Sequence, residues 1–100
     1  MRVVGKVRLV EAIEAGNLPA VAACAWFAEA VEAQWAVTDD ILKAYDGAEE
    51  LDDSRILVPL DNTGHCVVIL VEYRCASVLV VYAGQRGGYR MGNRRVSGRS

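Results

Sequence analysis

The stretch RILVPLDNTGHCVVILVEYRCASVLVVYA, residues 55–83, decides the fold of this 100-residue chain. It contains three runs with strand-type composition, which are Arg55–Leu60, His65–Tyr73 and Ser77–Ala83. The segments between the runs are only a few residues long, and such short connections join antiparallel neighbours. We therefore predict an antiparallel meander in this part of the chain.

Alternation along the strands assigns a direction to each side chain, because successive side chains point to opposite faces of a sheet. One face of the central run should pack under helices, and it carries Val67, Ile69, Val71 and Tyr73. The opposite face is also apolar, although a sheet covered on one side usually alternates toward polar residues. An exposed apolar patch usually marks a partner surface. We therefore predict that a partner chain binds a face formed by Cys66, Val68, Leu70, Leu79 and Val81.

The residues before the meander predict helices. Apolar residues three apart indicate a first helix over Lys6–Ala15, with a buried stripe of Val7, Val10 and Ile13. Pro19 suits the first turn of a second helix, which should extend to about Trp35. The stripe predicted for this second helix is Val21, Cys24, Ala28, Val31 and Trp35, and Trp26 lies off it.

A third helix and the fold class follow from the remaining segments. Thr38-Asp39-Asp40 signals a helix start, and Asp46-Gly47 should close that helix. Arg2–Val4 predicts a short edge strand, and the acidic stretch to Ser54 predicts a connecting loop. Helices followed by strands indicate an α+β fold, with N-terminal helices packed on one face of a mainly antiparallel sheet. The length predicts one domain over residues 1–100, of which 92–100 form a basic and potentially flexible tail.

Composition argues against several classes of protein. No apolar run approaches the roughly 20 residues of a membrane-spanning helix. The N-terminus lacks the apolar stretch and cleavage site of a secretory signal. Three cysteines without Cys-x-x-Cys spacing favour reduced core thiols over disulfides or a zinc site. We therefore predict a cytoplasmic protein without a metal or other cofactor, with Cys24, Cys66 and Cys75 in its core.

Charge is strongly segregated along the chain. Residues 11–53 contain eleven acids and a single basic residue, Lys43, whereas residues 85–100 contain five arginines and no acid. A basic, glycine-rich arm after the last strand suggests a site for a polyanion, although a solvated terminus explains the same arginines equally well.

Tyr89 is the main candidate for chemistry, because it lies among Arg86, Arg90 and two glycines. Glycines let a backbone approach a ligand closely. A tyrosine in this setting can stack on a base or transfer a proton, and neighbouring arginines can stabilise charge on a reacting phosphate. The simpler alternative is a tyrosine that packs on the sheet edge. His65, the only histidine, starts a strand, where a packed or hydrogen-bonded role is the simpler interpretation.

The ordered series of aromatic residues resembles the HigB-type toxins of bacterial toxin–antitoxin modules. The resemblance covers residues 1–91 and is carried by Ala25–Phe27, Trp35, Asp40–Tyr45, Ser54–Val58, Glu72–Tyr73, Val80–Gly84 and Tyr89. It implies the RelE-like fold, in which helices pack against a curved sheet whose open face holds the active site. It also implies an endoribonuclease that cuts mRNA, usually in the ribosomal A site, and a helix-turn-helix antitoxin as its partner.

Several positions depart from the family pattern. The family commonly has arginines along the open face of the long strands, where this chain has Cys66, Leu70 and Val81. After the last strand the family usually has Thr-His-x-x-Tyr-Asp, whereas residues 85–90 are Gln-Arg-Gly-Gly-Tyr-Arg. The tyrosine of that motif is therefore present, while its histidine and its acid are both arginine.

Three hypotheses remain open. The first is an mRNA-cleaving toxin with catalytic Tyr89, Arg86 and Arg90, whose further RNA contacts are Arg55, Arg74, Arg94 and Arg95. The second is a catalytically degenerate relative that binds an antitoxin-type partner, or a second copy of itself, through the apolar sheet face. The third, RNA binding without cleavage, depends on base stacking by Tyr89 alone.

Overall fold

The computed structural model describes residues 1–51, 55–60 and 64–89. In chain order its elements are β1 (Arg2–Val4), α1 (Lys6–Glu14), α2 (Ala20–Glu32), α3 (Thr38–Ala44), β2 (Glu49–Glu50), β3 (Arg55–Pro59), β4 (His65–Glu72) and β5 (Ser77–Gln85). Five strands form one sheet in the order β1-β5-β4-β3-β2. β1 runs parallel to β5, and the other three pairs are antiparallel. The predicted α+β class is confirmed.

The main core lies between the helices and one face of the three long strands. That face contributes six side chains that are at most 1% exposed, namely Ile56, Val58, Val67, Ile69, Val78 and Val80. Val71 and Tyr73 pack against the same core. The prediction that Val67, Ile69, Val71 and Tyr73 point toward the helices is therefore confirmed. Each fully buried aliphatic side chain of this kind stabilises the fold by about 1.5–3 kcal/mol.

α2 presents a different face to this core from the one predicted. It buries Ala23, Trp26 and Ala30. The exposed members of the predicted stripe are Val21, Cys24, Ala28 and Val31, so that prediction was wrong. Nearly all side chains of α2 are apolar, and periodicity alone does not single out one face of such a helix. The face of α2 that packs on the core has Trp26 between Ala23 and Ala30. The small alanine side chains allow the helix to approach the sheet closely.

α1 also differs from its predicted packing. Leu9 and Ala12 are buried, whereas Val7 and Val10 are 60% and 39% exposed. Of the predicted stripe, Ile13 alone packs partly against the core. α1 starts directly after Gly5, whose φ of +90° is rarely adopted by other residues. A Cβ at Gly5 would lie 3.0 Å from the main-chain oxygen of Val80, so this glycine sets how closely α1 approaches β5.

The ends of the other two helices have defined hydrogen-bond partners. α2 ends at Glu32 rather than near Trp35, and the amino nitrogen of Met1 donates to three carbonyl oxygens at that end over 2.8–3.1 Å. A cation there interacts favourably with the negative, carbonyl end of the helix. α3 starts at Thr38 as predicted. Asp40 Oδ2 accepts from two preceding main-chain N–H groups at 2.9 and 3.3 Å, and these bonds hold the pKa of Asp40 below its ordinary value.

The sheet has one edge strand that was predicted and one that was missed. β1 is the predicted edge strand, and it pairs with β5. β2 lies in the acidic stretch that was predicted to be a loop, where Glu49 pairs with Leu57 and Glu50 pairs with Ile56. Among the cysteines, Cys66 is buried as predicted, but Cys24 and Cys75 are exposed, so their core assignment was wrong. No helix among the described residues is long and apolar enough to cross a bilayer.

Candidate functional site

The face of the sheet opposite the helices, here named the open face, carries a row of side chains across four strands. Arg55 pairs with Leu70, Leu70 with Leu79, and Leu79 with Val4. Residues paired in register point to the same side of a sheet. Leu70, Leu79 and Val4 are 37%, 38% and 43% exposed, which is high for large apolar side chains. We name these three residues the apolar strip. Arg55 lies next to it, because Arg55 pairs with Leu70.

A second part of the open face, formed by Leu57, Cys66 and Val68, is covered by the chain itself. Leu57, Cys66 and Val68 are each at most 1% exposed. The side chains that pack over them are Leu51, Val81, Tyr82 and Tyr89. Cys66 and Val68 were predicted to form part of an exposed partner surface. That prediction was wrong, because both side chains are buried within the chain. Of the predicted patch, Leu70 and Leu79 remain exposed and Val81 is half-buried.

A β-bulge brings Tyr82 to the open face. Val68 pairs with Tyr82 and Ile69 with Val80, so β5 has one residue more than β4 at this point. Strict alternation from Val80 would turn Tyr82 toward the helices. The extra residue, Val81, reverses the phase, and both Val81 and Tyr82 pack against the cluster of Leu57, Cys66 and Val68.

Two glycines, Gly84 in β5 and Gly88 after it, lie close to the Tyr82 side chain. Its hydroxyl donates to the Gln85 carbonyl oxygen at 2.7 Å. A Cβ at Gly84 would lie 3.0 Å from this hydroxyl oxygen, and one at Gly88 would lie only 2.8 Å from it. Gly84 also has a φ of +152°, which other residues rarely adopt. Burial and the nearby Cys66 raise the pKa of Tyr82. The absence of side chains at Gly84 and Gly88 therefore leaves room for the Tyr82 hydroxyl.

Tyr89 follows on a helical turn formed by residues 86–89. Its ring lies 5.1 Å from the Tyr82 ring, centroid to centroid, with 49° between the ring planes. Arg55 Nη1 donates to the Tyr89 hydroxyl oxygen at 2.8 Å. The structure thus brings together Arg55 and Tyr89, which are 34 residues apart in sequence. A guanidinium and a phenol in contact can bind a phosphate and transfer a proton.

Arg86 is held at two points. Its main-chain N–H donates to the Gly64 carbonyl oxygen at 3.0 Å, which fixes the turn to the start of β4. Its guanidinium forms an ion pair with the Glu49 carboxylate. The two side chains are 34% and 37% exposed, so solvent reaches both partners. Arg86 was predicted to be available for phosphate, and the structure instead gives its guanidinium a carboxylate partner within the chain.

The remaining predicted site residues do not join this group. Arg74 is exposed in the turn between β4 and β5. This turn follows Glu72, which lies two residues beyond Leu70, the pairing partner of Arg55. Arg74 therefore lies on a different turn from the one that carries Tyr89. Arg90, Arg94 and Arg95 lie outside the described residues.

Sequence analysis missed Glu49 and Tyr82, and it treated Arg55 as an outlying contact rather than a partner of Tyr89. Tyr82 was recoverable in part, because glycines at positions 84 and 88 in one short arm indicate crowding by a large neighbour. No sequence signal pairs Glu49 with Arg86. Within residues 1–51, 55–60 and 64–89, no group of three His, Cys, Asp or Glu side chains is arranged to hold a metal ion.

Comparison with known proteins assigns no family. No protein-family model matches the chain, and no curated protein is significantly similar to it. The functional conclusion therefore depends on the geometry of the open face and on the resemblance described above.

Proposed function

We propose that this chain is a HigB-type, RelE-like toxin that cleaves mRNA on the ribosome in the bacterial cytoplasm. The observation that carries the proposal is the 2.8 Å hydrogen bond between Arg55 and Tyr89 on the open face. The resemblance places the active site of such toxins on that face, and both residues belong to segments that carry the resemblance. The α+β architecture, with the helices on the opposite face, supports the same assignment.

Each residue has a defined task in this reaction. The 2′-oxygen of the RNA attacks the adjacent phosphorus, the bond from phosphorus to the 5′-oxygen breaks, and the products are a 2′,3′-cyclic phosphate and a 5′-hydroxyl. The 2′-hydroxyl proton passes to water. Because Arg55 donates to the Tyr89 oxygen, the hydroxyl proton of Tyr89 is directed elsewhere and can protonate the leaving 5′-oxygen. The positive charge of Arg55 offsets the negative charge that builds on the phosphate in the transition state.

The test compares Tyr89→Phe, Arg55→Gln and the control Arg74→Gln in cleavage of ribosome-bound mRNA. Tyr89→Phe should reduce the cleavage rate by about 10²–10⁴-fold and leave RNA affinity nearly unchanged, because only the transition state uses the proton. Arg55→Gln should reduce the rate by about 10²–10³-fold. Arg74→Gln removes an equal charge from the turn between β4 and β5, which does not carry Tyr89, and should cleave like the wild type. Wild-type-like cleavage by Tyr89→Phe would remove Tyr89 from the mechanism.

A non-enzymatic role is the second candidate, and the exposed apolar strip favours it. Leu70, Leu79 and Val4 offer a sheet surface to a helix-turn-helix antitoxin or to a second copy of this chain. The alternative role predicts that the wild-type protein does not cleave mRNA. It also predicts that Leu79→Lys abolishes binding of the antitoxin or self-association, whereas Val21→Lys, on an exposed position of α2, does not. Growth arrest on expression that Tyr89→Phe abolishes would favour the toxin over this alternative.

A further inference from the structure

The ion pair between Glu49 and Arg86 occupies a guanidinium that the sequence analysis predicted to act on the RNA phosphate. We propose that Glu49 is a built-in competitor for phosphate, so that an anion must displace this carboxylate before Arg86 can bind it. The identity of the natural anion as RNA rests on the proposed function. The competition itself rests on the contact between the two side chains.

Chemistry and position both support the competition. Carboxylate and phosphate oxygens present similar acceptor geometry to a guanidinium. Glu49 pairs with Leu57, which belongs to the buried cluster of the open face, so the Glu49 side chain points to that face. Both partners are about one-third exposed, and an incoming anion can therefore reach the pair. Ion pairs that water reaches are weak enough to be displaced.

Displacement of Glu49 leaves the rest of the site in place. Among the described residues, the turn that carries Tyr89 has other attachments. They include the bond from the Arg86 main-chain N–H to Gly64, the bond from Arg55 to the Tyr89 hydroxyl, and the contact between the Tyr82 and Tyr89 rings. None of them uses the Arg86 guanidinium. Glu49 should therefore set the affinity of the open face for anions without setting the position of Tyr89.

Glu50 is a matched control for Glu49. The two acids are adjacent in β2, and Glu50 pairs with Ile56, whose side chain packs in the helix-side core. The Glu50 side chain consequently points away from the open face. Replacing either acid with glutamine removes one negative charge from the same strand, but only one of the replacements releases Arg86.

The experiment measures binding of inorganic pyrophosphate by calorimetry to the wild type, Glu49→Gln, Glu50→Gln and the double variant Glu49→Gln/Arg86→Gln. Glu49→Gln should bind about two- to fivefold more tightly than the wild type, which is the range expected when a solvent-exposed ion pair is released. Glu50→Gln should bind like the wild type, and the double variant should lose the gain. A second measurement uses a single-stranded oligonucleotide that lacks the reacting 2′-hydroxyl. For this ligand, Glu49→Gln should steepen the slope of log affinity against log salt concentration by about 0.7, which corresponds to one more neutralised phosphate.

Three outcomes would overturn the inference. They are equal gains for Glu49→Gln and Glu50→Gln, a gain that persists without Arg86, and no measurable pyrophosphate binding by Glu49→Gln. Circular dichroism verifies that each variant is folded. Pyrophosphate is not an RNA and is not cleaved by the proposed reaction, so these results are independent of ribonuclease activity. If the proposed function is wrong but this inference is right, the variants should bind pyrophosphate as expected and the wild type should not cleave mRNA.

Discussion

Substitution of Gly88 by alanine tests whether the arm after β5 is built around the Tyr82 hydroxyl. A Cβ at Gly88 would lie 2.8 Å from the Tyr82 hydroxyl oxygen and 4.0 Å from the next ring atom, Cζ. The hydroxyl must therefore move by several tenths of an ångström, and its 2.7 Å bond to the Gln85 carbonyl must lengthen or break. Gly87 is the matched control, because it lies in the same helical turn and a Cβ there meets nothing within 4 Å.

The magnitudes follow from these distances. Alanine in place of glycine at a compatible helical position stabilises a protein by about 0.4–1 kcal/mol, and this is expected for Gly87→Ala. Gly88→Ala gains the same term but loses a hydrogen bond worth about 0.5–1.5 kcal/mol and adds overpacking of about 1–3 kcal/mol. We expect Gly88→Ala to have a free energy of unfolding about 2 kcal/mol or more below that of Gly87→Ala.

Removing the Tyr82 hydroxyl should rescue the Gly88 variant. In the Tyr82→Phe background the nearest remaining atom is Cζ at 4.0 Å, which is an ordinary contact distance. Urea unfolding of the four proteins in the cycle gives the coupling free energy, which should be about 1–3 kcal/mol in favour of the double variant. Gly84→Ala should not be rescued in this way, because its φ of +152° is unfavourable for alanine whatever occupies the space. A coupling near zero, or equal stability of the Gly87 and Gly88 variants, would refute the packing argument.

Three further predictions concern the helices. Trp26→Ala should lower the free energy of unfolding by about 3–5 kcal/mol in urea titrations, since Trp26 is 2% exposed in the main core, whereas Val21→Ala at 84% exposure should change it by no more than about 0.5 kcal/mol. Burial, together with the hydrogen bond that Tyr45 donates to Glu29, raises the pKa of Tyr45 well above its ordinary value of 10.0. The unfolded chain therefore loses this proton at lower pH than the folded protein does. The contribution of Tyr45 to the free energy of unfolding is complete below about pH 10 and falls as pH rises further. Tyr45→Phe should make the free energy of unfolding, measured in urea, fall less over this range. The pKa of Asp40 is lowered from its ordinary value of 3.8, so its stabilisation is present above that pH and is lost as pH falls through the folded-state pKa. In acid titrations followed by circular dichroism, Asp40→Asn should make the helical signal less dependent on pH in this range. An unchanged titration would contradict the role of Asp40 at the start of α3.

The sequence alone was enough to predict β1, β3, β4 and β5 and the side to which most residues of the long strands point. A strand has only two faces, so the apolar runs that became β3, β4 and β5 fixed a sheet with one side under helices. The start of α3 was also predictable, because Asp40 lies in its first turn and accepts hydrogen bonds from the main-chain N–H groups of Ala36 and Val37. These features depend on neighbours within a few residues along the chain, and a single sequence contains that information.

Tertiary structure decided which helix face is buried and which residues meet on the open face. α2 is apolar on most sides, so only contact with the sheet selected Trp26 over Val21 for burial. The bulge at Val81 reversed the phase of β5 and brought Tyr82 to the open face. The partner of Tyr89 is set by strand order, because Arg55 reaches it only when β3 lies beside β4 and the turn of residues 86–89 packs over that pair. Contacts between residues more than 30 positions apart depend on the whole sheet, and no local pattern of residues records them.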